Sequence, residues 1–124
     1  MATQKFQKLF VWQKVHLFVL GVYKYVKKFP KEEVYAFSAQ FKRVSVSIAA
    51  NITEGFKKKG KADKVRYLNI AQGSLEECQY YLILSKDLGY GENEDLCLLL
   101  NEVSKMLQAY IHKILSLKFF IKYV

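Results

Sequence analysis

The sequence has a single proline, Pro30, and only six glycines in 124 residues, so few positions interrupt regular secondary structure. No Ser/Gly-rich or low-complexity stretch divides the chain, and its length is that of one domain, residues 1–124. Its two cysteines are too few for a disulfide framework. Because Cys78 and Cys97 stand among helix-forming apolar residues, we interpret them as reduced thiols of a cytoplasmic protein; a disulfide between them is the alternative.

Several functional signatures are also missing. No run of 18 uncharged apolar residues occurs and the N-terminus lacks an apolar signal segment, so neither a membrane span nor secretion is expected. The sequence has no HExxH, CxxC or Walker phosphate loop. Gln13 and Ala109 stand three residues before His16 and His112, where metal-binding bundles have glutamate. We therefore expect no catalytic residues, no metal and no cofactor.

What the chain does have is helical periodicity, in four segments with short breaks. The first is expected to end at Pro30, the second to run over residues 31–57, the third to begin near Asp63 and end at Leu88-Gly89, and the fourth to begin between residues 92 and 95. Four such helices joined by short turns predict an all-α, antiparallel up-down four-helix bundle. The apolar stripes are Val11, Val15, Phe18, Val22, Tyr25 and Phe29; Val34, Phe37, Phe41, Val44, Ile48 and Ile52; Leu68, Ala71, Leu75, Cys78 and Leu82; and Leu96, Leu100, Val103, Leu107, Tyr110, Ile114 and Leu117.

Three of the predicted helices carry further apolar residues beside the main stripe. A helix of a monomeric bundle needs about one apolar stripe, and wider coverage is typical of a helix that also meets a partner. We expect a homo-oligomer, and the alternative is a wide core packed with aromatic rings. The additional residues are Trp12, Val19, Tyr23, Val26, Tyr67, Ile70, Tyr81, Leu84, Leu98, Leu99, Met106 and Leu115.

Positive charge is concentrated in the first part of the chain. Residues 1–70 hold 15 Lys/Arg and 4 Asp/Glu, whereas residues 71–124 hold 5 and 7. Six cations fall within residues 57–66: Lys57, Lys58, Lys59, Lys61, Lys64 and Arg66. With Lys42 and Arg43 in support, they are candidates for contacting nucleic-acid phosphates without base specificity, because no sequence-reading motif accompanies them. Alternatively, these lysines only keep a sharp turn soluble.

Polar residues interrupt the second apolar stripe near its end. Asn51 and Glu54 lie close to the predicted inward face, where an amide and a carboxylate need hydrogen-bond partners. We interpret them as a structural polar lock that joins the second helix to another helix or to a neighbouring subunit. Gly73 lies in the middle of the third predicted helix, which suggests the close approach of another backbone near Asn51.

Three segments resemble the 23S rRNA intervening-sequence protein family of bacterial four-helix-bundle proteins. They are VWQKVHLFVLGVY, FPKEEVYAFSAQFKRVSVSIAANITEGF and YLNIAQGSLEECQYYLILSKDLGY, and the resemblance extends from about Phe10 to Tyr110. The family signature Asn-Ile-Ala-Glu-Gly corresponds here to residues 51–55, with Thr53 adding a hydroxyl in place of the alanine. The resemblance implies a cytoplasmic bundle that assembles into a ring-like homo-oligomer, with the pentamer as the form associated with the family.

A related branch comprises accessory proteins of diversity-generating retroelements, which bind a reverse transcriptase and nucleic acid. The resemblance therefore favours a non-enzymatic, homo-oligomeric binding module that contacts RNA or DNA backbone. The alternative is a structural adaptor for a protein partner such as a reverse transcriptase. A third hypothesis attaches the Leu117–Val124 tail to an anionic membrane surface, although this tail can equally pack on a neighbouring subunit.

Overall fold

Four long helices form the protein. The computed structural model describes the backbone of residues 5–123 and the side chains of residues 5–116. The helices are α1 (Phe10–Tyr25), α2 (Phe37–Lys57), α3 (Lys61–Asp87) and α4 (Glu94–Tyr123). Short 3-10 helices lie at Phe6–Lys8, Val26–Lys28 and Lys31–Glu33. The all-α four-helix fold predicted from the sequence is confirmed.

Contacts between neighbouring helices show that they run in opposite directions. Gln40 and Ser47 on α2 are hydrogen-bonded to Tyr81 and Ser74 on α3, at 3.3 and 2.9 Å. Positions that rise along α2 therefore meet positions that fall along α3, which is the arrangement of an up-down bundle. The same reversal relates α1 to α4, in the pairs Lys14–Glu102 and Tyr25–Asn93.

The core lies where the four stripes meet. Of the predicted stripe residues with described side chains, Phe37, Leu96 and Tyr110 are half-buried, Val34 is exposed and all the others are buried. The additional apolar residues differ in burial. Val19 and Val26 belong to the core, the other six are half-buried, and the exposed ones are Tyr23, Ile70, Leu98 and Leu115.

The start of α2 was predicted wrongly. The expected helix begins at residue 31, but a 3-10 helix occupies Lys31–Glu33 and α2 begins only at Phe37. The carboxylate of Glu33 accepts a hydrogen bond from the Phe37 backbone N–H at 3.3 Å, so it takes up one of the free donors at the new helix start. Val34 consequently lies outside the helix and is 47% exposed instead of joining the core.

The end of α3 follows the glycine signal in the sequence. Gly89 has a φ of +79°, which glycine adopts without the steric cost that a Cβ brings. The N–H groups of Gly89 and Tyr90 donate to the carbonyls of Lys86 and Ser85, both at 2.9 Å. This pair of bonds is the Schellman motif, and it turns the chain back toward α4.

A buried polar network that the sequence reading missed joins three helices near this turn. The Asn93 side-chain nitrogen donates to the Tyr25 hydroxyl at 3.0 Å and to the Leu82 carbonyl at 2.8 Å. The Tyr25 hydroxyl also lies 2.9 Å from the Ser85 hydroxyl and 3.0 Å from the Gly91 carbonyl oxygen. Since each polar group has a partner, the network fixes the ends of α1 and α3 against the start of α4.

Candidate nucleic-acid interface

The six clustered cations lie where α2 ends and α3 begins, and we call them the basic tip: Lys57, Lys58, Lys59, Lys61, Lys64 and Arg66. α2 ends at Lys57 and α3 starts at Lys61, so three residues connect the helices. Lys58 and Gly60, the first and last of these three residues, have extended backbones. The structure thus brings the predicted cluster together at one end of the bundle.

Lys64 is held by the fold. Its ammonium group donates to the backbone carbonyls of Phe56 at 2.8 Å and Gly55 at 3.3 Å. These carbonyls belong to the last turn of α2, where the helix dipole favours a cation. Desolvation by burial lowers the pKa of Lys64 from its ordinary value. The main role of Lys64 in this geometry is to cap α2.

Two other cations of the tip share one aromatic ring. The Lys58 ammonium lies 5.1 Å and the Arg66 guanidinium carbon 4.9 Å from the centre of the Tyr67 ring. Each cation also has an acidic neighbour: Glu54 on α2 lies 3.9 Å from Lys58, which directly follows that helix, and Asp63 lies 3.4 Å from Arg66 on α3. Asp63 pairs with Arg66 in the first turn of α3. These contacts offset part of the positive charge.

Three lysines of the tip have no acidic partner among the described side chains. Lys57 and Lys59 are exposed, and Lys61 is half-buried at the first position of α3. Glu54 and Asp63 are the acidic residues between positions 54 and 66, and they are occupied by Lys58 and Arg66. The charge available to an anionic ligand is therefore concentrated on Lys57, Lys59 and Lys61.

Lys42 and Arg43 do not join this cluster. They precede Lys57 on α2 by about four helical turns, which corresponds to roughly 20 Å along the axis. The Lys42 ammonium lies 5.2 Å from the centre of the Tyr23 ring, and Arg43 donates a hydrogen bond to Gln40 on its own helix. A nucleic acid has to extend along α2 to reach both groups.

Asn51 bonds mainly within its own helix. Its side-chain nitrogen donates to the Ser47 carbonyl at 2.8 Å and to the Ser47 hydroxyl at 3.1 Å, and that hydroxyl lies 2.9 Å from the Ser74 hydroxyl on α3. Asn51 thus reaches α3 through Ser47. Glu54 is exposed and pairs with Lys58 directly after the end of α2, so its part in a lock between subunits stays a prediction. The extra hydroxyl of Thr53 donates to the Ala49 carbonyl at 2.9 Å.

The close backbone approach is at Gly55 and not at Gly73. A Cβ on Gly55 would lie 3.2 Å from the Lys64 carbonyl oxygen and 3.3 Å from the Tyr67 Cβ, closer than ordinary van der Waals contact, so α3 packs closely on this glycine. A Cβ on Gly73 would meet no heavy atom within 4 Å. The expectation that Gly73 lies against another backbone near Asn51 is wrong within the chain.

Cys78, Cys97 and His16 have packing roles in the fold. Cys78 and Cys97 are not bonded to each other. Burial, with a smaller contribution from the charge of Glu77, raises the pKa of Cys78 to about 12, so its thiol stays protonated at neutral pH. The His16 ring stacks on Trp12 with a centroid distance of 5.1 Å.

The described part of the chain lacks both a metal-binding cluster and a membrane-spanning helix. Residues 5–116 contain no group of three or more His, Cys, Asp or Glu side chains arranged to hold a metal ion. Among the described residues, none of the helices combines the length and the apolar content needed to span a lipid bilayer.

Comparison with known proteins places these features in a family. The family model described as "23S rRNA-intervening sequence protein" matches residues 7–109. A crystal structure of a Bacteroides thetaiotaomicron protein, described as of unknown function and from the S23 ribosomal protein family, superposes with a TM-score of 0.69. Its sequence is 29% identical, and the match covers 82% of this chain and 97% of the other. No curated protein matches the chain.

Proposed function

The chain belongs to the 23S rRNA-intervening sequence protein family, and from that premise we propose a non-enzymatic, homo-oligomeric module that binds RNA or DNA backbone through its basic tip. The observation that carries this proposal is the set of three lysines at one end of the bundle that have no acidic partner among the described side chains, Lys57, Lys59 and Lys61. Phosphates bound there displace counterions without requiring contact with the bases. Lys42 and Arg43 extend the path along α2 for a longer ligand.

Assembly is part of the proposal, because a single tip offers only Lys57, Lys59 and Lys61 to an anionic ligand. Leucines exposed on the outer surface, among them Leu17, Leu20 and Leu98, support contact between copies. The pentamer is the form that the family resemblance implies. Five copies of a chain with net charge +9 carry about +45, and a ring concentrates that field for a polyanion. The proposal places the protein in the cytoplasm, where free thiols such as Cys78 remain reduced.

The test is fluorescence anisotropy with labelled structured RNA and duplex DNA at several salt concentrations. We expect log affinity to fall linearly with log salt. The variant Lys57→Gln/Lys59→Gln/Lys61→Gln is expected to reduce that slope by roughly 2 to 3 on duplex DNA, since each lost phosphate contact contributes about 0.9.

A matched control removes the same charge elsewhere. Lys31 and Lys105 are exposed, Lys86 is an exposed residue paired with Glu92, and all three lie outside the tip. The Lys31→Gln/Lys86→Gln/Lys105→Gln variant is expected to keep most of the slope. Equal slopes for the two triple variants would contradict the assignment to the tip, and no binding at low salt would contradict nucleic-acid binding altogether.

The second candidate function is an adaptor for a protein partner such as a reverse transcriptase. Val34, Tyr35 and Leu88 favour it, because these apolar residues are exposed at the bundle end opposite the tip, with Tyr35 96% exposed. A partner recovered in fixed stoichiometry after nuclease treatment, and lost when Tyr35 is changed to Ser, would support the adaptor. The side chains of the Leu117–Val124 tail, considered above for membrane attachment or subunit packing, lie outside the described residues.

A further inference from the structure

Gly73 has no structural role within one chain. It lies in the middle of α3, it is exposed, and a Cβ built on it would meet nothing within 4 Å. Its φ is not positive, so the backbone does not require glycine either. Glycine inside a helix is destabilising relative to alanine. A glycine at such a position is explained if something from outside the chain packs on it.

The surface around Gly73 is apolar and acidic, and we call it the α3 face: Ile70, Gly73, Glu76, Glu77, Tyr80 and Ile83. The apolar members are 46–59% exposed, which is unusual for large side chains on one helix. Residues 73 and 80 are two turns apart on the same side of the helix. Glu76 and Glu77 form no ion pair with any described side chain.

The outer surface of α1 and of the 3-10 helix that follows it is apolar and basic, and we call it the α1 face: Leu17, Leu20, Lys24 and Lys27. Leu17 and Leu20 are both 53% exposed. Lys24 continues the same side of α1 after one further turn, Lys27 follows in the 3-10 helix Val26–Lys28, and both are exposed. Among residues 5–116 no carboxylate pairs with either lysine.

We propose that the α1 face of one copy packs on the α3 face of the next copy. Leu17 and Leu20 then cover Gly73, and the two lysines approach Glu76 and Glu77. The match is chemical: each face has exposed apolar residues, and the flanking charges are opposite in sign. Pairing two α1 faces, or two α3 faces, would set like charges against each other.

This inference rests on the homo-oligomer of the proposed function and specifies its interface. A contact between two different faces repeats from copy to copy, and it closes into a ring when the rotation between copies permits. A pentamer requires such a contact, because a self-complementary patch makes pairs. Rotation about the ring axis also places every basic tip at the same height, so the tips form one rim.

The first test exchanges the charges of the two faces. Sedimentation velocity is measured for wild type, Glu76→Lys/Glu77→Lys, Lys24→Glu/Lys27→Glu, and the chain that carries all four changes. We expect each double variant to weaken association at least tenfold and the fourfold variant to restore it. Wild-type assembly by both double variants, or failure of the fourfold variant to recover while it remains helical, would overturn the interface.

The second test fills the space above the glycine. Gly73→Leu is compared with Ala50→Leu, which adds the same side chain at an exposed position of α2. We expect tenfold weaker association for Gly73→Leu only; equal association of the two variants would overturn the packing on Gly73. If the wild type is monomeric at every concentration, both this interface and the homo-oligomer fail. If it assembles and the exchanges have no effect, the interface alone fails.

Discussion

The hydroxyl oxygen of Tyr25 lies 3.0 Å from the side-chain nitrogen of Asn93, a buried contact between residues 68 positions apart. Tyr25 ends α1 and Asn93 immediately precedes α4, so the pair fixes the first helix against the last. Ser85 and the Gly91 carbonyl complete the same network. The basic tip is at the other end of the bundle, so residues of this network do not contribute to a ligand-binding surface there.

Replacing Tyr25 by phenylalanine tests the energetic contribution of that network. The ring stays, but Gly91 and Asn93 each lose a buried partner, and we expect a loss of about 1–2 kcal/mol in the free energy of unfolding. Urea denaturation followed by helical circular dichroism measures it. Tyr23→Phe is the control because Tyr23 is exposed, and it is expected to be near neutral. Equal effects of the two changes would contradict the role of the network.

Replacing Gly55 and Gly73 by alanine is expected to change folding stability in opposite directions. At Gly55 a Cβ meets the Lys64 carbonyl oxygen at 3.2 Å, so Gly55→Ala requires the α3 backbone to shift by a few tenths of an ångström, and we expect it to destabilise the fold by about 1–3 kcal/mol. At Gly73 the space is open, and Gly73→Ala gains up to about 1 kcal/mol of helix propensity. Urea denaturation at several protein concentrations separates these effects from association. A stabilised Gly55→Ala variant would contradict the close packing.

The sequence was most informative where one helix determines its own structure. The periodic stripes locate the core, and Gly89 locates the end of α3, because both depend on local spacing and backbone conformation. The start of α2 was missed, since Glu33 is fixed by Phe37 and by Tyr90, which lies 57 positions away. A single helical period contains no information about such distant partners.

The candidate site shows the same limit. The six cations of the basic tip were found as a cluster because they are neighbours in sequence. Their different roles were not foreseen, because Lys64 reaches back to the α2 carbonyls and Lys58 shares the Tyr67 ring with Arg66. Asn93, a polar residue just before an apolar helix, was the available signal for the buried network.

The bond between Tyr90 and Glu33 predicts a loss of stability in alkali. The Tyr90 hydroxyl donates to Glu33 at 2.6 Å, and this bond, with desolvation and nearby carboxylate charge, raises the pKa of Tyr90. The unfolded phenol ionises near pH 10, so the stabilisation is complete below that pH and is lost as pH rises through the higher folded value. The free energy of unfolding should therefore fall above about pH 10.

Tyr90→Phe isolates this contribution from the other groups that ionise in alkali. The variant is expected to be less stable than wild type at pH 7, and the difference between them should shrink above pH 10. Glu33→Gln keeps an acceptor oxygen but removes the charge, and its Tyr90 is expected to ionise at a lower pH by ultraviolet absorbance. A constant difference between wild type and Tyr90→Phe across this range would contradict the linkage.

Comparing Lys64 with Lys59 tests separately the structural role and the binding role of the lysines in the tip. Lys64 caps α2 through the Gly55 and Phe56 carbonyls, whereas Lys59 is exposed and has no described acidic partner. We expect Lys64→Gln to cost about 1 kcal/mol of folding stability and Lys59→Gln to cost almost none. For the salt slope of nucleic-acid binding the order should reverse, with Lys59→Gln lowering it by roughly 0.9 on duplex DNA. Urea denaturation and anisotropy on the same two variants measure both quantities. If Lys64→Gln lowered the slope as much as Lys59→Gln while both remained equally stable, Lys64 would be a phosphate contact and not a helix cap.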